Sequence, residues 1–98
     1  MRIKPEDISV DLKFFDKPGS RLKAYADVTL PLNGDGFLKL CGFSIIQSDT
    51  EQLRVALPSR KHGERYFDTV LLIGKVRGLV QDAILDEYKR AIRSQEES

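Results

Sequence analysis

The chain has 98 residues, of which 41% are hydrophobic and 32% are charged, and its formal net charge is +1. This length suits one domain with one core, and the composition excludes a disordered chain. A single cysteine excludes an internal disulfide and favours a reducing, cytoplasmic compartment. No apolar run approaches the roughly 20 residues that cross a bilayer. The positively charged start has no apolar segment behind it, so we expect neither a signal peptide nor a membrane partner.

Two segments of alternating apolar and polar residues open the chain. Residues 8–14 and 22–30 place apolar side chains at every second position, which is the period of a half-buried strand. The turn-forming residues 16–20 separate the two segments. We therefore expect an antiparallel hairpin whose second strand ends at Pro31.

The third predicted strand, residues 37–46, follows a turn at residues 33–36 and is apolar on both faces. A strand of this kind lies at the centre of a sheet or at an interface. Cys41 belongs to this strand, and we expect it to be a buried small hydrophobic residue rather than a reactive thiol.

A fourth strand and a cluster of positive charge follow. Residues 53–57 have a strand pattern, which Pro58 interrupts, and the next seven residues read "SRKHGER". We expect a basic loop here, at the tip of a hairpin and shaped by Pro58 and Gly63. A short fifth extended segment is expected near residues 66–72.

From residue 75 the apolar positions recur at spacings of three and four, which predicts an amphipathic helix over residues 75–93. Residues 94–98 have nothing to bury and are expected to fray. The predicted fold is α+β in a single domain, residues 1–93, with a meandering antiparallel sheet of about four to five strands followed by one C-terminal amphipathic helix. One helix covers only one face of a sheet, so the doubly apolar third strand favours a homodimer.

No constellation of residues indicates catalysis or metal binding. His62 and Cys41, the one histidine and the one cysteine, lie far apart in sequence and lack the spacing of zinc ligands. Ser59 has no triad partners at a telling spacing. The "GDG" of residues 34–36 lies between two predicted strands, without the helix that a phosphate cradle requires. We therefore expect no enzyme, no metal and no cofactor.

Positive charge is concentrated in the C-terminal half. Residues 51–93 carry nine basic and six acidic residues, whereas residues 1–50 carry seven of each. A local field of this kind steers anionic partners, and Tyr66, Phe67 and Tyr25 offer rings for base stacking. Any single basic residue is most simply explained as an exposed, solvated surface charge. The cluster as a whole favours the interpretation that these residues bind nucleic acid. The candidate contacts are Arg60, Lys61 and Arg65 on the basic loop and Lys75, Arg77, Lys89, Arg90 and Arg93 on the helix.

A sequence motif carries a family resemblance. The run "VALPSRK" at residues 55–61, followed by Gly63 and by "YFD" at residues 66–68, resembles the hallmark of the SpoVG septation-protein family. The run "LDEY" at residues 85–88 is similar to the L-x-E-Y that ends that family's sequences. The resemblance extends over nearly the whole chain. A His-Pro step and a Ser/Thr-rich helix start, both common in that family, are replaced here by residues 69–75.

The resemblance implies a small bacterial cytoplasmic regulator linked to septation and sporulation. Members of that family form dimers and are site-preferring binders of DNA and RNA. A second class of function stays open, namely a protein–protein interaction module of the cell-division machinery, in which the basic loop contacts an acidic partner. The two classes of function differ in their binding to duplex DNA. A nucleic-acid binder should bind it with an affinity that falls as the salt concentration rises, because phosphate contacts release counterions.

Overall fold

The structure is a computed structural model that describes residues 3–15, 17, 19–32 and 34–96, with only the backbone of the last residue. Some residues of the predicted turns lie outside these ranges, namely Asp16, Pro18 and Asn33. The end of the predicted tail, Glu97 and Ser98, also lies outside them. The elements, in chain order, are a 3-10 turn at Pro5–Asp7, β1 (Ser9–Phe14), β2 (Leu22–Pro31), β3 (Phe37–Gln47), β4 (Leu53–Ala56), β5 (Ser59–His62), β6 (Arg65–Asp68) and α1 (Lys75–Glu96). This is an α+β fold, as the sequence predicts.

Strands β1 to β4 form one antiparallel sheet in the order β1-β2-β3-β4. Each strand pairs with its neighbour in sequence, because antiparallel strands can be joined by short connections. The meander predicted from the alternating segments is therefore confirmed. Strands β5 and β6 form a separate two-stranded sheet. The segment predicted as a basic loop at the tip of a hairpin is thus mostly made of the two strands of that hairpin, and only residues 63 and 64 form its turn.

Helix α1 covers one face of the four-stranded sheet. The core combines Val80, Ile84 and Tyr88 of the helix with inward-facing residues of β2, β3 and β4. Among the described residues, no polar or charged side chain is buried. Fully burying a side chain such as that of Ile84 contributes about 1.5–3 kcal/mol, so this apolar layer accounts for most of the drive to fold.

A β-bulge in β3 explains the apolar character that the sequence shows on both faces of this strand. Val28 of β2 pairs with Leu40 and Ala26 pairs with Phe43, so Cys41 and Gly42 together oppose the single residue Asp27. One extra residue reverses the alternation. The side chains that face the helix therefore come from even positions before the bulge and from odd positions after it. They are the apolar side chains of Leu38, Leu40, Phe43 and Ile45.

The bulge is held by two local features. Gly42 has a φ of 97°, a conformation that favours glycine, and its N–H donates to Oδ1 of Asp27 at 3.1 Å. The side chain of Cys41 is exposed rather than buried, which corrects the expectation for this thiol. The middle of the outer face carries Lys39, Cys41 and Ser44, so β3 is not doubly apolar along its length and does not by itself require a partner.

Helix α1 extends further than the sequence predicts. It ends at Glu96 rather than at Arg93, so the first three residues of the predicted frayed tail are helical. Among the described residues, α1 is the longest helix, and none has the length and apolarity to cross a membrane.

Candidate nucleic-acid interface

The hairpin formed by β5 and β6 contains the basic cluster. A two-residue turn, Gly63 and Glu64, connects His62 to its partner Arg65. Gly63 has a φ of 65°, and glycine at the first central position is the requirement of a type II′ turn, whose twist matches that of the two strands. Gly63 therefore shapes the turn, as predicted.

Pro58 has a different role from the one expected. It does not shape the turn but is buried at the base of the hairpin, and its Cβ lies 3.7 Å from the position that a Cβ on Gly42 would occupy. The carbonyl oxygen of Pro58 accepts a hydrogen bond from the N–H of Thr69 at 2.8 Å. The hydrogen bond thus closes the base of the hairpin, Pro58 lies beside the bulge of β3, and the strands of the hairpin are exposed to solvent.

Both faces of the hairpin are open to solvent, because all eight residues of its two strands are exposed. Residues paired directly across an antiparallel ribbon share a face. One face carries Arg60 with Phe67 and His62 with Arg65; the other carries Lys61 with Tyr66 and Ser59 with Asp68.

Within the described part of the chain, the hairpin cations form no ion pair with an acidic residue. Among the described residues, ion pairs form between Arg21 and Asp49 and between Arg90 and Glu87, and neither lies on the hairpin. The long side chains of Arg60, Lys61 and Arg65 are therefore free to contact a ligand.

A groove beside the base of the hairpin brings two further cations together. Its volume is about 300 Å³, and it is lined by Arg54 of β4, Arg77 and Gln81 of α1, and Asp68 of β6, together with residues 55–57. The sequence reasoning missed Arg54 as a site residue, since it lies in a strand and 23 positions before Arg77. No signal in the sequence predicts this pairing, because it depends on how α1 crosses the edge of the sheet.

The structure separates the helical candidates into two sets. Lys75 and Arg77 lie in the first turn of α1, and Arg77 lines the groove. Lys89, Arg90 and Arg93 lie about 18–27 Å further along the helix, at 1.5 Å per residue. They belong to the end of α1 near β1, where the ring of Tyr88 lies 5.9 Å from that of Phe14.

The distal helical cations are partly neutralised. The Nε of Arg90 donates to Oε2 of Glu87 at 3.2 Å, and this hydrogen bond raises the pKa of the Arg90 guanidinium above its ordinary value. Asp82 and Asp86 share the exposed surface of the helix with Lys89 and Arg93. Residues 54–77 carry six basic and two acidic residues, a net charge of +4, whereas residues 78–96 carry three basic and four acidic residues, a net charge of −1.

No family model, no curated protein and no solved structure matches this chain. The membership of the SpoVG family suggested by the motif therefore stays a prediction. In three dimensions the motif is the hairpin itself: residues 55–61 form the end of β4, the buried Pro58 and most of β5, Gly63 forms the turn, and residues 66–68 belong to β6.

The remaining candidates are placed as follows. Tyr25, the third ring considered for stacking, lies on β2 against Phe15, with ring centroids 6.5 Å apart, and is not part of the hairpin. The fifth extended segment ends at Asp68, and residues 69–73 have no regular structure. Within the described part of the chain, no three His, Cys, Asp or Glu side chains are grouped closely enough to hold a metal ion.

Proposed function

We propose that this chain is a small nucleic-acid-binding regulatory protein of the septation and sporulation regulator type, which binds DNA and also RNA. The observation that carries the proposal is the β5–β6 hairpin, which presents Arg60, Lys61 and Arg65 on exposed faces and whose cations form no ion pair with any acidic residue that the structure describes. The groove formed by Arg54 and Arg77 extends this positive surface to the start of α1. Its location would be cytoplasmic, consistent with one exposed free thiol.

The chemistry of the hairpin suits phosphate better than it suits a specific base. Arginine and lysine contacts to the backbone position a protein on nucleic acid but carry no sequence information. Each neutralised phosphate of duplex DNA makes log K fall by about 0.9 per unit of log salt concentration. A preference for particular sites would need base contacts, and Arg77 and Gln81, which line the groove, are side chains that could make them.

The proposal includes a homodimer. Because β3 is not doubly apolar, the argument for the dimer rests instead on two other exposed side chains. Leu71 and Ile73, between the hairpin and α1, are 67% and 85% exposed. Leaving two large aliphatic side chains in water, two positions apart in the chain, is unfavourable, and a second copy that covers them would offset this cost. We expect light scattering to give a dimer mass for the parent and a monomer mass for the double change Leu71→Ser with Ile73→Ser. A monomer mass for the parent at tens of micromolar would exclude the dimer.

The same exposed side chains favour one alternative. A protein partner of the cell-division machinery could cover Leu71 and Ile73 while an acidic part of its surface contacts the hairpin. In that case nucleic acid would bind weakly, and removal of hairpin charges would weaken partner binding instead.

The decisive experiment removes hairpin charge and compares it with an equal change elsewhere. Arg60→Ala with Lys61→Ala removes up to about four phosphate contacts from a dimer, so affinity for duplex DNA should fall for every sequence and the salt slope should become shallower by about 2–4 units. The matched control is Lys89→Ala with Arg93→Ala, which removes the same charge from the far end of α1 and should change the slope less. Titrations of labelled DNA and RNA at two salt concentrations measure both. Absence of binding by the parent protein would exclude the proposed function, and equal slopes for parent and hairpin variant would place the contact elsewhere.

A further inference from the structure

Two neighbouring aromatic rings on β6 are exposed. The side chain of Tyr66 is 69% exposed and that of Phe67 is 52% exposed. As consecutive strand residues they lie on opposite faces of the hairpin. Cross-strand pairs can help to stabilise a two-stranded hairpin, which is marginal alone, but β-branched aliphatic side chains also suit strands.

A cation accompanies each ring. On one face the Nζ of Lys61 lies 5.9 Å from the centroid of the Tyr66 ring. On the other face Phe67 is paired with Arg60, and the ring of His62 meets it at an angle of 60° with centroids 6.4 Å apart. The His62 ring therefore does not lie flat on Phe67. A ring for base stacking beside a cation for the adjoining phosphate is the arrangement that binds unpaired nucleotides.

The position of the rings on opposite faces distinguishes between two forms of nucleic acid. In a duplex the bases are already stacked on one another and offer only their edges in the grooves. A single strand is flexible and has unpaired bases, so it can pass over the edge of β6 and reach both faces. We propose that the β5–β6 hairpin binds single-stranded nucleic acid, with Tyr66 and Phe67 each stacking on an unpaired base while Arg60 and Lys61 contact the phosphates. This inference rests on the proposed function and defines its ligand more closely.

The test compares single strands with a duplex. The probes are labelled oligothymidine and oligouridine of about 16 nucleotides, the upper end of site sizes for such surfaces, and a DNA duplex of the same length. Fluorescence anisotropy at about 50 mM and about 200 mM salt gives the affinity and the salt slope. We expect the parent protein to bind the single strands more tightly than the duplex.

Two double variants separate the rings from other effects. Tyr66→Leu with Phe67→Leu keeps apolar cross-strand contacts but removes both rings, and it should weaken single-strand binding by between about 5-fold and about 140-fold for each ring, with the salt slope unchanged. Tyr66→Phe with Phe67→Tyr keeps both rings and should bind as the parent does. Phe37→Leu changes an exposed aromatic side chain at the far end of β3 and should have no effect.

The outcomes distinguish this inference from the proposed function. If the parent binds neither single strands nor duplex, both are excluded. If the parent binds the duplex at least as tightly and the leucine variant is unchanged, the inference is excluded and the proposed function stands. If the leucine variant loses single-strand and duplex binding to the same extent, the rings only support the hairpin, and the inference is again excluded.

Discussion

The four-stranded sheet with α1 and the β5–β6 hairpin use the same strand geometry but bury their side chains very differently. In the sheet, alternate residues of β2 are buried against the helix, whereas all eight strand residues of the hairpin are exposed. Burial of apolar area is the main favourable term in folding. The sheet and helix therefore account for the stability of the fold. The side chains of the hairpin are not constrained by packing in a core, so their types can suit a ligand instead.

The largest expected effect tests whether the helix-facing layer holds the fold. Ile84→Asp places a carboxylate at a fully buried position and should lower the free energy of unfolding by about 3–5 kcal/mol. Leu79→Asp introduces a carboxylate at a half-buried position of the same helix and should lower the free energy of unfolding by less than Ile84→Asp does. Urea unfolding followed by circular dichroism measures both. Similar midpoints for the two variants would contradict the assigned core face.

The next effect concerns the bulge of β3, beside which Pro58 lies at the base of the hairpin. Gly42→Ala should cost about 1–3 kcal/mol, because alanine is strained at a φ of 97°. Crowding contributes little, since the added Cβ would make only ordinary contact with Pro58 at 3.7 Å. The matched control is Gly78→Ala within α1, where the Cβ meets open space, and it should stabilise by about 0.5–1 kcal/mol. Thermal melts should show shifts of opposite sign; a neutral Gly42→Ala would mean that the bulge relaxes at no cost.

A smaller effect arises at high pH. Burial raises the pKa of the Tyr88 hydroxyl above its ordinary value, because desolvation disfavours the phenolate. The neutral ring therefore contributes stability that is present below the pKa of the unfolded chain, about 10, and is lost as pH rises through the higher folded value. Tyr88→Phe should lose less stability than the parent between about pH 8 and about pH 11, as measured by urea unfolding. Equal losses would show that Tyr88 is not desolvated.

The smallest expected change in stability comes from removing the exposed cations of the hairpin, in contrast to changes in the core of the sheet and helix. Arg60→Ala with Lys61→Ala should change the free energy of unfolding by less than about 0.5 kcal/mol, because exposed cations contribute little to folding. A clear loss of stability in a thermal melt would mean that these side chains are structural, and the hairpin would then no longer differ from the sheet in this respect.

Alternation and helical periodicity were enough to predict β1, β2 and α1, because each buries one face against a common core. The bulge could not be predicted in this way. A single inserted residue at Cys41 and Gly42 leaves apolar residues at both even and odd positions, and the sequence then resembles a strand that is buried on both sides. Only the pairing with β2 shows that these residues share one face.

The candidate site was predicted in part. The cations of residues 60–65 were identified from their density, but their strands were not, since a hairpin with both faces in water has no apolar alternation to reveal it. The two-residue turn at Gly63 and Glu64 was the available signal. The groove between Arg54 and Arg77 depends on tertiary packing and lies beyond what local patterns encode.

The exposed Cys41 has a practical consequence. It is the one thiol in the chain, and it is adjacent to Gly42, against which Pro58 lies at the base of the hairpin. A maleimide dye or a nitroxide spin label would therefore attach at a single position without any engineered cysteine. From there it would sense changes in the environment of the hairpin base, so that the unmutated protein carries its own attachment point for a spectroscopic reporter.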